Sequence, residues 1–230
     1  MAVSSYPKTC RVGVFVFDDF EPLDVWGFIE AFSIARFIGS SYADAAPRPF
    51  EIILIAESTA PVRSYNGPRV VPDLSCDEAL SADAPVDLFM IPGGRGVRPL
   101  LEGEGEGAAA RRAEVFDWIR AMDARAQITS SVCTGAAVLA AAGLLDGLPA
   151  TTNQASFEWV VGFGPRVRWD EHSRWVDAGH LVTSAGVSAG TDMAFYLVAR
   201  LAGRAVAERA ARAAEYAWQR DPDAPIHYPD

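Results

Sequence analysis

Short apolar segments that alternate with helical ones limit the fold of this chain more than any other feature. Four of them read as strands: RVGVFVF (11–17), FEIILIA (50–56), VDLFMIP (86–92) and QITSSV (127–132). Parallel strands that are covered on both faces have this continuous apolar, β-branched character. Strands that alternate with helices favour a mostly parallel sheet between two layers of helices. The sequence therefore predicts an α/β fold, a three-layer sandwich.

Helical and hairpin patterns complete the expected domain. Helices are expected at 23–37, 108–124, 134–145, 188–203 and 205–220. Small β-hairpin excursions are expected at 62–73, around Asn-Gly, and at 166–186, with Asp-Ala-Gly as the turn. Neither a repeat nor a flexible linker divides the chain. We expect one domain over 1–230, with an irregular tail at 221–230.

Composition and charge exclude several classes of function. The chain has 230 residues, half of them hydrophobic, which suits one α/β domain. Its formal net charge of −10 disfavours a nucleic-acid partner, because phosphate binding needs a basic surface. No apolar run reaches the roughly 18 residues that span a bilayer, and the first residues do not resemble a signal peptide. We expect a cytoplasmic protein with no membrane partner.

A cysteine lies at the predicted junction of strand and helix in QITSSVCTGAAVLAAAG (127–143). A side chain on such a sharp turn projects toward the ligand crevice, and small residues must follow it, as Thr134 and Gly135 do here. A helix N-terminus would lower the pKa of the Cys133 thiol below about 8.5 and favour a nucleophilic thiolate. The alternative is a buried cysteine that only fills space. Cys10 and Cys76 lack this context, and we interpret both as structural, without a disulfide framework.

Two further loops are expected at the same edge of the sheet, where ligands of parallel α/β proteins bind. In IPGG (91–94), Gly93 and Gly94 would leave backbone N–H groups free to stabilise an oxyanion, although glycine turns are common. In FDDFEPLDVWG (17–27), Asp24 is the candidate acid. An acid near a helix N-terminus can also serve only to complement the helix dipole.

These loops, in this order, resemble the ThiJ/PfpI superfamily of class I glutamine amidotransferase-like domains, whose fold is flavodoxin-like. The matching segments lie between about residues 11 and 203. LDVWGFIEAF, DLFMIPGGRGV, TSSVCTGAAVLAAAGLLDGLPATTN and VTSAGVSAGTDMAFYLV are similar to isocyanide (isonitrile) hydratases. They are also similar to the sensor domains that precede AraC-type DNA-binding domains.

The resemblance implies roles for particular residues. Cys133 would be the nucleophile and Asp24 the acid beside it, while Thr134 and Gly94 would contact the developing charge. Two sequence differences set this chain apart. Thr134 follows the cysteine where the peptidase branch has a histidine, and Asn153, in ATTNQ, stands where hydratases usually have a histidine. Asn cannot titrate, but it can still form a hydrogen bond.

The implied activity is a hydro-lyase reaction that adds water to an isocyanide and gives an N-substituted formamide. A thioimidate on Cys133 would be the intermediate, with no cofactor and no metal, and the partner would be a small-molecule substrate. The alternatives are a non-catalytic small-molecule sensor and a glyoxalase- or deglycase-type enzyme. The superfamily also implies a homodimer.

Two groups of side chains have weaker indications of function. The histidines are expected at the surface, away from any metal site: His172, His180 and His227. Four aromatic residues are candidates for apolar lining of a substrate pocket: Phe157, Trp159, Trp169 and Trp175.

Overall fold

A computed structural model of the protein describes residues 7–226. The strands are β1 (Cys10–Phe15), β2 (Phe50–Ala56), β3 (Val62–Arg63), β4 (Arg69–Val70), β5 (Leu74–Ser75), β6 (Leu88–Ile91), β7 (Ile128–Ser131), β8 (Pro149–Ala150), β9 (Arg168–Trp169), β10 (Trp175–Asp177) and β11 (Leu181–Ser184). The helices are α1 (Pro22–Ser33), α2 (Cys76–Ser81), α3 (Val97–Glu102), α4 (Glu106–Asp123), α5 (Gly135–Ala141), α6 (Phe157–Val161), α7 (Val187–Ala202) and α8 (Arg204–Ala213). A short 3₁₀ helix (Gln154–Ser156) precedes α6.

Seven strands form the main sheet, in the order β10-β11-β7-β6-β1-β2-β5. All neighbours in it are parallel except β10 and β11. The four strands expected from sequence are confirmed and adjacent at the centre, where Val12 of β1 pairs with Ile52 on one side and Leu88 on the other. Their carboxyl ends therefore share one edge of the sheet.

Helices cover both faces of this sheet. The chain moves from β1 to β2 in one direction along the sheet and from β6 to β7 in the other. Because parallel crossovers are right-handed, α1 lies on one face and α3 and α4 lie on the opposite face. α7 and α8 pack with α1, and α2, α3 and α5 belong to the second layer with α4. The flavodoxin-like, three-layer fold is confirmed.

The hairpin prediction for 62–73 is confirmed, and the one for 166–186 is only half right. β3 and β4 pair antiparallel across a loop that contains Gly67 at φ 112°. β10 and β11 form an antiparallel hairpin, but β11 also joins β7 as a buried parallel strand. β9 does not belong to that hairpin, since it pairs in parallel with β8.

Three expected helices end earlier than their apolar patterns suggested. α1 ends at Ser33, where the Arg36 guanidinium donates to the Ser33 carbonyl oxygen at 2.7 Å. α5 ends at Ala141, because Gly143 at φ 79° provides a left-handed C-terminal cap. α8 ends at Ala213, and the chain turns back so that Trp218 Nε1 donates to the Asp192 carbonyl oxygen.

Among residues 7–226, no helix is long and apolar enough to cross a membrane. His227 and the other residues of the tail beyond 226 lie outside the described residues. The described part of the tail, 221–226, contains neither helix nor strand.

Candidate active site

The turn between β7 and α5 places Cys133 in a strained backbone conformation. Its φ is 57°, in the left-handed region that is unfavourable for residues with a side chain. The Thr152 hydroxyl donates a hydrogen bond of 2.8 Å to the Cys133 carbonyl oxygen and so helps to hold the turn. The residue is only 9% exposed, yet it lines a pocket. This geometry is the elbow that the sequence predicts.

Two glycines let the loops after β6 and β7 approach each other closely. A Cβ at Gly135 would lie 2.3 Å from the Ile91 carbonyl oxygen. A Cβ at Gly93 would lie 2.6 Å from the Thr134 backbone nitrogen and 3.0 Å from Asp24 Oδ2. Larger residues would separate the two strand ends, so both positions shape the site through their lack of a side chain.

Asp24 is buried beneath this junction. It belongs to the first turn of α1, which begins with Pro22 and is capped by the side chain of Glu21. Asp24 is 1% exposed, and its Oδ2 accepts a hydrogen bond of 2.8 Å from the Gly93 backbone N–H. Its Oδ1 is buried and has no hydrogen-bond partner among residues 7–226. The carboxyl group therefore binds another element of the fold rather than capping its own helix.

Burial raises the pKa of the Asp24 carboxyl to about 8, because the low-dielectric interior disfavours its charge; the Gly93 N–H opposes this shift. Most Asp24 side chains are therefore protonated at neutral pH.

The expectation of a lowered pKa at the Cys133 thiol is wrong. Burial raises this pKa, and the charge of the Asp24 carboxylate raises it further. Hydrogen bonds from the Thr134 backbone and hydroxyl lower it without reversing the shift. α5 is only two turns long, and its dipole does not compensate for the loss of water around the sulfur. The resting site thus holds a thiol beside a carboxylic acid.

The loop donors are arranged differently from the expected free oxyanion hole. The Gly93 N–H is bound by Asp24, and the Gly94 N–H donates to Thr134 Oγ1 at 3.1 Å. The Gly135 N–H donates to the Val132 carbonyl oxygen. All three glycine N–H groups therefore already donate to protein oxygens and are not free to bind an oxyanion. Thr134 directs its own hydroxyl and N–H at the sulfur, with Gly94 fixing the hydroxyl from behind.

A pocket of about 490 Å³ opens over Cys133. The residues that line it come from loops at the carboxyl edge of the sheet and from the segment around α6. They are Glu21, Tyr65, Gly94, Arg95, Arg98, Cys133, Thr134, Asn153, Ser156 and Trp159. This volume accommodates a small organic molecule.

Asn153 lies in the pocket wall, but its carbonyl oxygen is engaged locally. Asn153 Oδ1 accepts a hydrogen bond of 3.1 Å from the Ser156 N–H and caps the 3₁₀ helix. Trp159 is the aromatic candidate that reaches the pocket. The other three lie elsewhere, Phe157 against Trp169 and Trp175 against Tyr196.

The described histidines lie away from the pocket. His180 Nε2 contacts Asp123 at 2.8 Å and the ring also contacts the Gln127 carbonyl oxygen, while His172 lies in an exposed turn. Within the described part of the chain, no group of three or more His, Cys, Asp or Glu side chains could hold a metal ion.

Sequence reasoning missed several residues of the site. Thr152 and Tyr65 carry no local signal, since both come from segments far along the chain from Cys133. Arg95 and Arg98 could have been found, because they directly follow the IPGG loop at the carboxyl end of β6.

The sheet order, the cysteine elbow and the acid on α1 define a class of flavodoxin-like proteins with a cysteine at the ligand edge. Comparison with known families agrees: residues 10–200 match the DJ-1/PfpI family, and the chain belongs to it. The site residues predicted from the sequence resemblance lie within this match.

Two relatives of this chain have different functions, one an enzyme and the other a transcriptional regulator. The chain is 36% identical to the isonitrile hydratase of Pseudomonas putida over 168 residues, which cover 73% of this chain and 66% of the hydratase, just under two thirds of its length. It is 26% identical over 179 residues to the HTH-type transcriptional regulator CdhR of Pseudomonas aeruginosa, covering 78% of this chain and 48% of the regulator. Among solved structures, a ThiJ/PfpI family protein from Pseudomonas syringae superposes with a TM-score of 0.72 at 28% identity, over 91% of this chain and 76% of that protein.

Proposed function

We propose that this protein is a cysteine-dependent hydratase that converts an isocyanide and water into an N-substituted formamide. The observation that carries the proposal is the pairing of the Cys133 elbow with the buried carboxyl group of Asp24, one oxygen of which has no hydrogen-bond partner among the described residues. The similarity to an isonitrile hydratase supports this choice of reaction. Hydrolysis and addition at such a carbon need a nucleophile and a mobile proton, and this pair supplies both.

In the first step, the sulfur and the hydrogen of the thiol both add to the terminal carbon of the isocyanide. The carboxylate form of Asp24 takes the Cys133 proton as the sulfur bonds to the carbon. Asp24 then returns that proton to the same carbon, which gives a thioimidate, R–N=CH–S–Cys133. The Thr134 hydroxyl and N–H stabilise charge on the sulfur during this transfer.

The second step hydrolyses the thioimidate. A water molecule attacks the carbon while Asp24 accepts one of its protons and passes that proton to the nitrogen, which gives the tetrahedral intermediate R–NH–CH(OH)–S–Cys133. This intermediate collapses as the C–S bond breaks, and Asp24 carries the hydroxyl proton to the sulfur. The product R–NH–CHO contains the isocyanide plus one water, and the enzyme returns to its resting state.

The test is incubation of the protein with phenyl isocyanide in ¹⁸O-labelled water, with the product measured by mass spectrometry. We expect N-phenylformamide that carries one labelled oxygen. Cys133→Ala should eliminate it, and Cys76→Ala is the matched control, since Cys76 lies outside the pocket. Formation of the formamide by Cys133→Ala at the wild-type rate would refute the proposal.

A second candidate function is small-molecule sensing without turnover. The similarity to CdhR favours it, as does Asn153 in place of the hydratase histidine. A sensor would bind a ligand in the pocket with the same affinity in wild type and Asp24→Asn, and it would release the ligand unchanged. Chemistry on an α-oxoaldehyde is a third possibility, and the same mass-spectrometric assay with glyoxal tests it.

A cytoplasmic location and a homodimer remain part of this proposal. Leu23 and Trp26 on α1 are 57% and 43% exposed, which leaves apolar surface beside the site for a second copy to cover. Light scattering should give about twice the chain mass of 24.7 kDa. A monomer mass would contradict the dimer without affecting the reaction.

A further inference from the structure

The mouth of the pocket over Cys133 holds two arginines that the proposed reaction does not use. Arg95 and Arg98 both extend from the segment after β6, and both line the pocket. The chain as a whole has a formal net charge of −10, so two positive side chains at the ligand edge differ in sign from the net charge of the protein. Because both residues line the pocket, a substrate bound there would lie close to them.

Aromatic rings hold both guanidinium groups by their faces. The Arg95 Cζ lies 5.3 Å from the centre of the Tyr65 ring, and the Arg98 Cζ lies 4.2 Å from the centre of the Trp159 ring. The Trp159 ring is itself fixed, because its Nε1 donates to Glu102 Oε1 at 2.6 Å. Stacking uses the face of the guanidinium and leaves its N–H donors, which lie in the plane, free for other partners.

The two arginines differ in how far their charge is already balanced. Arg98 contacts the Glu102 carboxylate at 3.4 Å. Arg95 forms no ion pair with any carboxylate among residues 7–226, and its guanidinium makes no hydrogen bond there. Among the described residues that line the pocket, Glu21 is the one acidic residue, and its side chain accepts a hydrogen bond from the Leu23 N–H at the start of α1. Arg95 is therefore the cation that is available to a ligand.

We propose that the natural substrate carries a carboxylate, which Arg95 binds while the reactive carbon lies against Cys133. This inference rests on the proposed hydratase function and narrows its substrate class to isocyano acids. A guanidinium binds a carboxylate through two parallel N–H bonds, which fixes orientation as well as position. The rings of Tyr65 and Trp159 provide apolar contact for the body of the substrate.

The experiment compares 4-(isocyanomethyl)benzoate with its methyl ester, which has the same ring and isocyanide, one additional methyl group and no charge. We expect kcat/KM to be roughly ten-fold higher for the carboxylate, a difference that one charge-assisted hydrogen bond explains. Arg95→Met should bring the ratio of the two kcat/KM values to about one, and Arg95→Lys should keep part of it. High salt should also reduce the ratio, because exposed charges are screened.

Arg212→Met is the matched control, since it removes the same charge from an exposed position on α8, outside the pocket. It should leave the ratio unchanged. A ratio near one in the wild type, or a high ratio that survives in Arg95→Met, would overturn the inference while formamide formation still supported the hydratase.

A separate measurement decides the case in which neither isocyanide is converted. Calorimetry then compares binding of 4-(formamidomethyl)benzoate and its methyl ester to the wild type and to Arg95→Met. Preferential binding of the carboxylate that is lost in Arg95→Met would support the anion site even though the hydratase had failed. Equal binding of the two compounds would reject the anion site as well as the hydratase.

Discussion

Asp24 Oδ2 accepts a hydrogen bond of 2.8 Å from the Gly93 backbone N–H and thereby joins the first turn of α1 to the loop after β6. This contact fixes the carboxyl group and leaves Oδ1 buried, with no hydrogen-bond partner in the described part of the chain. Burial makes the proton on this group hard to remove, which suits a residue that must take a proton and then give it back.

The rate of hydration should follow the ionisation of Asp24. The first step needs the carboxylate, and a pKa of about 8 leaves roughly a tenth of it ionised at pH 7. We expect kcat/KM to rise about ten-fold per pH unit below 8 and to level off above it. Fixed-time assays of formamide production from pH 5 to 9 measure this dependence of kcat/KM on pH. Asp18→Asn is the control that keeps the profile, and a flat wild-type profile between pH 5 and 7 would exclude Asp24 as the base.

Asp24→Asn should make the Cys133 thiol easier to ionise while it slows turnover. The Asp24 charge is one cause of the raised thiol pKa, so its removal lowers that pKa. Iodoacetamide labelling of the peptide that contains Cys133, followed against pH, should be faster at each pH than in the wild type, because the pKa of the thiol is lower. An unchanged rate of labelling would mean that the two groups do not interact. Loss of turnover together with faster labelling would separate proton transfer from nucleophile ionisation.

Thr152→Val should weaken the elbow without changing the volume of the core. The Thr152 hydroxyl holds the Cys133 carbonyl oxygen at 2.8 Å, and loss of a buried hydrogen bond costs about 1–3 kcal/mol. We expect kcat to fall roughly ten-fold with a smaller change in KM. Thr151→Val is the matched control, because its hydroxyl binds the Ser173 carbonyl oxygen instead. Equal losses in the two variants would show a general effect on stability.

Gly135→Ala should disrupt the junction of the two loops. Its Cβ would lie 2.3 Å from the Ile91 carbonyl oxygen, so the backbone must shift. We expect thermal unfolding at a temperature several degrees lower and a loss of at least ten-fold in kcat. Gly107→Ala, in the first turn of α4 with open space around it, is the control and should be neutral or slightly stabilising. A Gly135→Ala variant with wild-type behaviour would contradict the packing.

The central strands were predictable because their signal is local. Each is a short apolar run, and burial on both faces of a parallel sheet leaves that pattern in the sequence. β11 was missed as a core strand because LVTS is short and follows a hairpin turn, so the same residues fit a surface hairpin. The ends of α1 and α8 depend on contacts with residues far along the chain, which no local pattern contains.

The sequence predicted part of the membership of the candidate site and did not predict its electrostatics. Cys133 lies in the turn after β7 and Asp24 in the first turn of α1, and the parallel topology brings both to one edge of the sheet. Whether the helix dipole or desolvation controls the thiol pKa depends on how much water reaches the sulfur, and that is set by packing. The pairing of Arg95 with Tyr65 joins two separate loops, so it also required the three-dimensional structure.

The most direct test of the account is the rate of formamide production by three proteins at pH 8: wild type, Cys133→Ala and Cys76→Ala. If the Cys133 sulfur bonds to the isocyanide carbon, wild type and Cys76→Ala should both produce formamide. Cys133→Ala should produce none above the uncatalysed background. Formamide from Cys133→Ala at a rate near that of the wild type would contradict covalent catalysis at the elbow.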